Sequence, residues 1–145
     1  MRYIGDGQPW PEERARRFVE RQIALFDERG FCLWKLGMKE APGLIGFCGL
    51  QPLPEVEPGA AEIEIGWWLA RAWWGRGLAT EAARAVLRDG FERVGLERIV
   101  AIAQPANTAS IGIMRKLGLR FERMAEPRGI PVVLYATSDR HFFLA

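Results

Sequence analysis

From Gly77 to about Val94 the apolar residues Leu78, Ala79, Ala82, Ala83, Val86, Leu87, Gly90, Phe91 and Val94 recur every three or four positions, with Glu81, Arg84, Arg88 and Glu92 between them. That spacing winds one apolar and one wet stripe around a helix. A second such run begins at Pro11, where Ala15, Phe18, Val19, Gln22, Ile23 and Phe26 share a helical face. Proline in its first turn, early glutamates and Gly30 at its far end are start and stop signals for a helix. The pattern then changes period. Ala61 to Leu69 begins in strict alternation, with Glu62 and Glu64 on one face and Ile63 and Ile65 on the other, which predicts a strand.

Phe31–Leu36 and Leu44–Leu50 are short apolar runs separated by a segment holding Gly37, Pro42 and Gly43, and they read as an antiparallel hairpin buried on both faces. Gln51 to Gly59 holds three prolines and reads as a loop. Gly66 interrupts the alternating strand and predicts a bulge or the close approach of another backbone or a ligand. Arg98–Ala103 is a further strand. Asn107 is a suitable N-cap for a short helix, Thr108–Leu117, closed by Gly118. Leu119–Glu122 and Val132–Ala136 are the last strands. A strand, helix, strand unit at the centre of this order predicts an α/β (α+β) domain built on a mixed, largely antiparallel sheet.

Length and composition narrow the picture. A chain of 145 residues suits one core, so residues 1–145 read as a single domain. Its net charge of +2, with acidic and basic residues interspersed, argues against a nucleic-acid partner. Cys32 and Cys48 lie in apolar runs without zinc-type spacing or a histidine cluster, so the expectation is buried free thiols in a reducing cytoplasm and no metal. Neither thiol has a histidine in a plausible motif, and the lone His141 reads as structural or incidental. No apolar run reaches membrane-spanning length, and Met1–Asp6 has no signal-peptide core.

Between the alternating strand and the long helix lies Trp73-Trp74-Gly75-Arg76-Gly77-Leu78-Ala79-Thr80-Glu81-Ala82. Two glycines let the backbone turn tightly, and the first amides of a helix have no intrahelical partners, so this junction suits an anion, most often a phosphate. Alone it favours an ordinary glycine turn capping a helix, since short glycine patterns recur by chance. Its neighbours give it meaning.

Four pieces in order, Glu64–Leu69, Trp74–Ala82, Asn107–Ser110 and Lys116–Gly118, resemble the GNAT superfamily of acetyl-coenzyme A dependent N-acetyltransferases, and within it the branch of the ribosomal-protein N-terminal alanine acetyltransferases. The resemblance covers nearly the whole chain. It departs at Trp74, where the superfamily's pyrophosphate loop usually has Gln or Arg, and at the start, where the chain begins without the strand that members carry before the segment resembling Arg2–Gly5. The fold it implies is a GNAT-like central sheet flanked by helices, with a splayed strand pair; either the start of the chain has been placed late, or the domain tolerates losing an edge strand, which leaves an unpaired neighbour open to association as a homodimer.

The resemblance also implies roles. Pantetheine lies in the splay and pairs with backbone groups of Trp67, Trp68 and Leu69. The loop from Trp74 through Gly75, Arg76, Gly77, Ala79 and Thr80 cradles the pyrophosphate through its amides, the helix dipole contributing roughly 0.3–1 kcal/mol. Arg76 either adds a point charge or is a solvated arginine. Asn107 and Lys116 complete the coenzyme contacts.

An attacking amine is protonated at neutral pH, with a reference pKa of roughly 8 at an N-terminus and 10.4 on a lysine, so a base is required. Glu64 is the candidate, directly or through a water. Glu62 is its substitute, and a solvated outer face for both is the competing reading. A backbone amide near Trp67 or Trp68 would meet charge on the carbonyl oxygen. Ser110 stands where the family places a hydroxyl beside the departing sulfur, or else satisfies its own helix. One of Trp67 and Trp68 walls the acceptor cleft.

The expected activity is acetyl transfer from acetyl-coenzyme A to a primary amine, of a protein N-terminus or a small molecule, by direct attack. A non-catalytic acyl-coenzyme A binding module is the alternative. A nucleotide-binding protein is disfavoured, because the glycines match neither the P-loop nor the dinucleotide fingerprint.

Overall fold

The computed structural model describes residues 10–53 and 61–144. The expectations for Met1–Asp6, and for the proline-rich loop from Pro54 to Gly59, lie outside the described residues. Helix α1 spans Glu12–Arg29, and Gly30 closes it in the left-handed region, its amide donating to the Phe26 carbonyl. Strands β1 (Leu33–Met38), β2 (Ala41–Leu53) and β3 (Glu62–Leu69) follow as an antiparallel meander. Helix α2 (Leu78–Asp89) continues as one wide turn over Gly90–Val94, and strand β4 (Arg98–Ala103) comes next. Helix α3 (Thr108–Lys116), strands β5 (Arg120–Ala125) and β6 (Val132–Ser138) and helix α4 (Asp139–Leu144) complete the order.

The strands form one sheet in the order β1-β2-β3-β4-β6-β5, antiparallel except where β3 meets β4. A parallel pair needs a crossover, and α2 supplies it. The predicted mixed, mostly antiparallel sheet with a central strand, helix, strand unit is the observed one.

One face of the sheet carries the main core. Ile65, Ile99 and Ala101 pack there against Ala83 and Leu87 of α2 and Met114 of α3. The amphipathic stripe read from the sequence explains α2: its apolar side has somewhere to go, and desolvating it is the dominant favourable term. The other face carries a smaller cluster of Leu53, Val100 and Leu134 with Ile102 and Ala136. Helix α1 crosses the free edge, where Phe18 meets Phe47 and Phe26 meets Trp34, and the Gln22 side chain accepts from the Leu33 amide. Its predicted stripe is wider than what this edge covers, for Val19 and Ile23 stay 53% and 59% exposed.

Four local expectations are corrected. The hairpin turns at Lys39-Glu40, so that Gly37, Pro42 and Gly43 lie within strands. The pairing shifts between Leu36 and Met38, and in that irregular stretch the missing amide of Pro42 is not needed by a ladder. β1 is not buried on both faces: it is the edge, and Trp34 and Lys35 are exposed. Gln51–Leu53 continue β2 and are not loop.

Gly66 makes no bulge. The β2–β3 register runs unbroken from Gly46↔Leu69 to Leu53↔Glu62, and a methyl on Gly66 would find only an ordinary contact with Leu33. The close approach belongs to its cross-strand partner Gly49, where a Cβ would lie 2.0 Å from the Cys32 carbonyl oxygen. Helix α4, which the sequence reading lacks, seats Phe142 on Phe91 and directs His141 Nε2 to the Gly118 carbonyl oxygen at 3.0 Å. The lone histidine therefore ties two helix ends together. Cys32 and Cys48 are buried and free, and burial pushes the Cys48 thiol up to about 12.

Candidate active site

The two parallel strands are in ladder register where Glu64 faces Val100, and no register continues along Ile65–Leu69. β3 and β4 thus part toward their C-terminal ends and open a gap in the sheet. Alternation along an antiparallel ladder decides which groups line it. The Ala70 amide donates to the Ile45 carbonyl at 2.8 Å, which places the backbone groups of Trp68, Gly66 and Glu64 on the β2 side. Those of Trp67 and Leu69 face the gap. The expectation that Trp68 offers backbone groups there is therefore corrected, since that ladder already uses them. Trp74 takes the Leu69 carbonyl, its indole N–H donating at 2.6 Å, which leaves the Trp67 backbone and the Leu69 amide.

The gap is also a passage between faces. Trp67 points toward the α2 and α3 side, where its indole N–H donates to Ser110 Oγ at 3.3 Å. Asn107 caps α3 by accepting from the Ser110 amide at 3.2 Å, as expected from its position. A hydroxyl has one proton and two lone pairs, so with one lone pair on the indole the Ser110 proton remains free to donate.

Glu64 and Trp68 point to the opposite face. There Trp68 stacks on Phe47 with centroids 5.8 Å apart. Glu64 stands between Gln51 of β2 and Val100 of β4, close to the apolar cluster of Leu53 and Leu134. Desolvation there raises its carboxyl from 4.5 to about 7, although a hydrogen bond from Gln51 Nε2 at 2.8 Å and the charge of Arg128 both pull the other way. Glu62 shares that face but is held by Arg98 at 3.1 Å, and Arg98 also binds Glu122 at 2.7 Å. Of the two carboxylates, Glu64 has no cation in direct contact among the described residues.

At the mouth of the gap, Gly75 and Gly77 adopt φ of 76° and 74°, a region where a side chain is strained. A Cβ at either would meet nothing within 4 Å, so the space before them is open. The first bond of α2 runs from the Glu81 amide to the Gly77 carbonyl, which leaves the amides of Leu78, Ala79 and Thr80 without intrahelical partners. This open cradle of unpaired amides fits a pyrophosphate. The Arg76 guanidinium lies over the Trp73 ring at 4.9 Å. Trp74, 58% exposed, secures the loop to the end of β3 through its indole.

Beside the cradle a depression of about 520 Å³ is lined by Gly77, Thr80, Glu81, Arg84, Ala85 and Arg88, two cations against one carboxylate. Arg84 donates to the carbonyl of Lys116, itself exposed, which brings the end of α3 alongside. Sequence reasoning missed Gln51, Arg84, Arg88 and Arg128. Gln51 lay inside a stretch read as loop, and the arginines looked like any wet helical face or turn. Among the described residues no group of histidines, cysteines and carboxylates stands close enough to hold a metal ion, and no helix is long and apolar enough to cross a membrane.

Known proteins resemble the chain in sequence and in fold. Its residues 1–120 match the family described as acetyltransferase (GNAT) domain, and the chain belongs to that family. It is 42% identical over 122 residues to the uncharacterized N-acetyltransferase YnaD of Bacillus subtilis (strain 168), across 84% of this chain and 66% of that protein. The acetyltransferase (GNAT family) of Bacillus anthracis has the same fold with a TM-score of 0.76 at 27% identity, over 97% of this chain and 81% of the other. RimL, a ribosomal L7/L12 alpha-N-protein acetyltransferase solved in complex with coenzyme A, shares the fold at 21% identity with a TM-score of 0.71, over 89% and 73% of the two chains. The chain spans 60–66% of the length of three curated relatives that it matches.

Proposed function

We propose that this chain, acting as one domain, transfers the acetyl group of acetyl-coenzyme A to a primary amine by direct attack. Membership of the GNAT family supports the donor. The observation that carries the reaction is a buried carboxylate, Glu64, which desolvation pushes up to about 7, at the point where the pairing of β3 with β4 ends. The coenzyme approaches from the helix side. Its pyrophosphate rests on the amides around Gly75–Thr80, with Thr80, Arg84, Arg88 and Lys116 flanking the rest of the nucleotide, and its pantetheine arm enters the gap along Trp67 and Leu69. Asn107 borders that arm while capping α3.

The amine approaches from the other face, past Trp68 and Phe47. Glu64 takes its proton, because a base with a pKa near the working pH is both available and strong enough. The Trp67 amide meets the charge that develops on the carbonyl oxygen. Ser110 donates to the departing sulfur, whose thiol is acidic enough, at roughly 8.5, to leave stabilised as thiolate. No covalent enzyme intermediate is needed.

The ribosomal-protein acetyltransferase among the fold neighbours makes a protein N-terminus one acceptor class to try, alongside small amines. Turnover of acetyl-coenzyme A against an amine panel, followed by Glu64→Gln, tests the reading. Acetylated product that disappears in the variant supports it. Coenzyme A binding with no acetylation across the panel means instead a non-catalytic acyl-coenzyme A binding module.

A further inference from the structure

Arg128 is the one non-glycine residue with positive φ among the described residues, at φ 54° and ψ 31°. Backbone held in so sparsely populated a region persists only where its surroundings enforce it, and it concentrates where ligands are gripped. The enforcement is visible. Pro127 is buried, the Gly129 amide donates to the Glu126 carbonyl at 3.1 Å, and the Ile130 amide donates to that of Pro127 at 3.1 Å. The turn joins β5 to β6, and β6 begins beside Ala103 at the C-terminal end of β4. That is the end at which β3 and β4 have parted. Ala103 is three residues beyond Val100, the neighbour of Glu64, or roughly 10 Å along the strand.

Of the cations on the face of Glu64, Arg98 is matched by Glu62 and Glu122. Arg128 makes no ion pair, hydrogen bond or ring contact with any described residue, yet its charge reaches the Glu64 carboxylate. Arg128, exposed, strained in its backbone and unpaired among the described residues, thus overlooks the side of the gap from which the amine comes. We propose that Arg128 selects the acceptor, binding a carboxylate on the same molecule as the amine that Glu64 deprotonates. The proposal rests on the acetyltransferase reading above. A guanidinium presents a planar fork that fits a carboxylate with two parallel bonds. One cationic charge balances one carboxylate, whereas a phosphate dianion would leave uncompensated negative charge beside Glu64.

Two sources share this chemistry: a free amino acid, and a peptide N-terminus followed by an acidic side chain. Steady-state kinetics of the whole chain with acetyl-coenzyme A would compare alanine with alaninamide, and a tripeptide carrying glutamate second with one carrying glutamine second. The expected result is kcat/KM roughly 10- to 100-fold higher for the carboxylate member of at least one pair, the ratio of a charge-assisted hydrogen bond, expressed in KM. Which pair responds identifies the source. Arg128→Gln brings that ratio near one, while Arg140→Gln, on the exposed side of α4, retains it. Arg128→Gly relaxes the backbone, so it too loses the ratio while its thermal midpoint does not fall, which separates recognition from folding.

Turnover without a carboxylate preference, or a preference that survives Arg128→Gln, overturns the proposal and leaves the acetyltransferase reading standing. A stronger preference for phosphoethanolamine over ethanolamine than for either carboxylate pair overturns the choice of carboxylate. Absence of transfer to every acceptor overturns both.

Discussion

The side-chain amide of Gln51 lies 2.8 Å from Oε1 of Glu64, and the two are direct neighbours across β2 and β3. The bond favours the ionised carboxylate against the desolvation that raises it. Activity should therefore rise with pH through about 7, where Glu64 loses its proton. A pH profile of kcat/KM checks this, and its acidic limb should vanish with Glu64→Gln.

Replacing Gln51 by Met removes the donor and keeps the volume. The acidic limb should move to higher pH, because a hydrogen bond that holds the Glu64 carboxyl down is lost while its desolvation remains. At pH 7 the rate should fall by roughly 10- to 100-fold, the scale of one hydrogen bond to a charged group. Unchanged limbs would mean that Gln51 does not govern the carboxylate.

The same carboxylate makes a stability prediction of unusual sign. Its folded pKa is above the unfolded value, so the stability it contributes is complete below about 4.5 and is lost as pH rises through about 7. The loss is on the order of 3 kcal/mol. Denaturant unfolding of wild type and Glu64→Gln across pH 4 to 8 should show the variant gaining relative stability over that window and no further gain above it.

Trp67 and Ser110 are coupled through the indole N–H. Ser110→Ala should lower kcat by roughly 10- to 100-fold if its hydroxyl stabilises the leaving thiolate. Trp67→Phe should lower it less, and the double variant should behave like Ser110→Ala alone, since the indole acts through the hydroxyl. Additive losses in this double-mutant cycle would count against that coupling.

Gly77→Ala tests the cradle. At φ 74° an added Cβ meets no neighbour, so its cost is conformational, about 1–2 kcal/mol. Calorimetric titration should show weaker coenzyme A binding, and the thermal midpoint should fall. Undiminished affinity would indicate that the pyrophosphate rests elsewhere.

Much of this site was legible in one dimension. The glycines of the cradle, the Asn107 cap and the stripe of α2 depend on a residue's own φ or on neighbours within four positions, and all three stand where the pattern puts them. Other features depend on partners that local spacing does not name. Glu62 and Glu64 are alike as letters, and only the cross-strand register gives one an arginine and the other a glutamine. Gly66 looked like a bulge because a glycine in a strand often is one, while the close approach was at Gly49 across the ladder. Helix α4 is too short for a period to show.

By itself, then, the sequence determined most of the elements, the glycine turn that precedes α2, and the family to which the chain belongs, because local backbone preference and the hydrophobic period write them directly into the chain. Only the tertiary structure decided that β3 and β4 part beyond Glu64, that Trp67 and not Trp68 turns its backbone to the opening, and that the charge of Arg128 reaches Glu64. Those outcomes depend on register and packing between segments far apart in the chain, where each strand's free groups and charges are settled by what lies beside it.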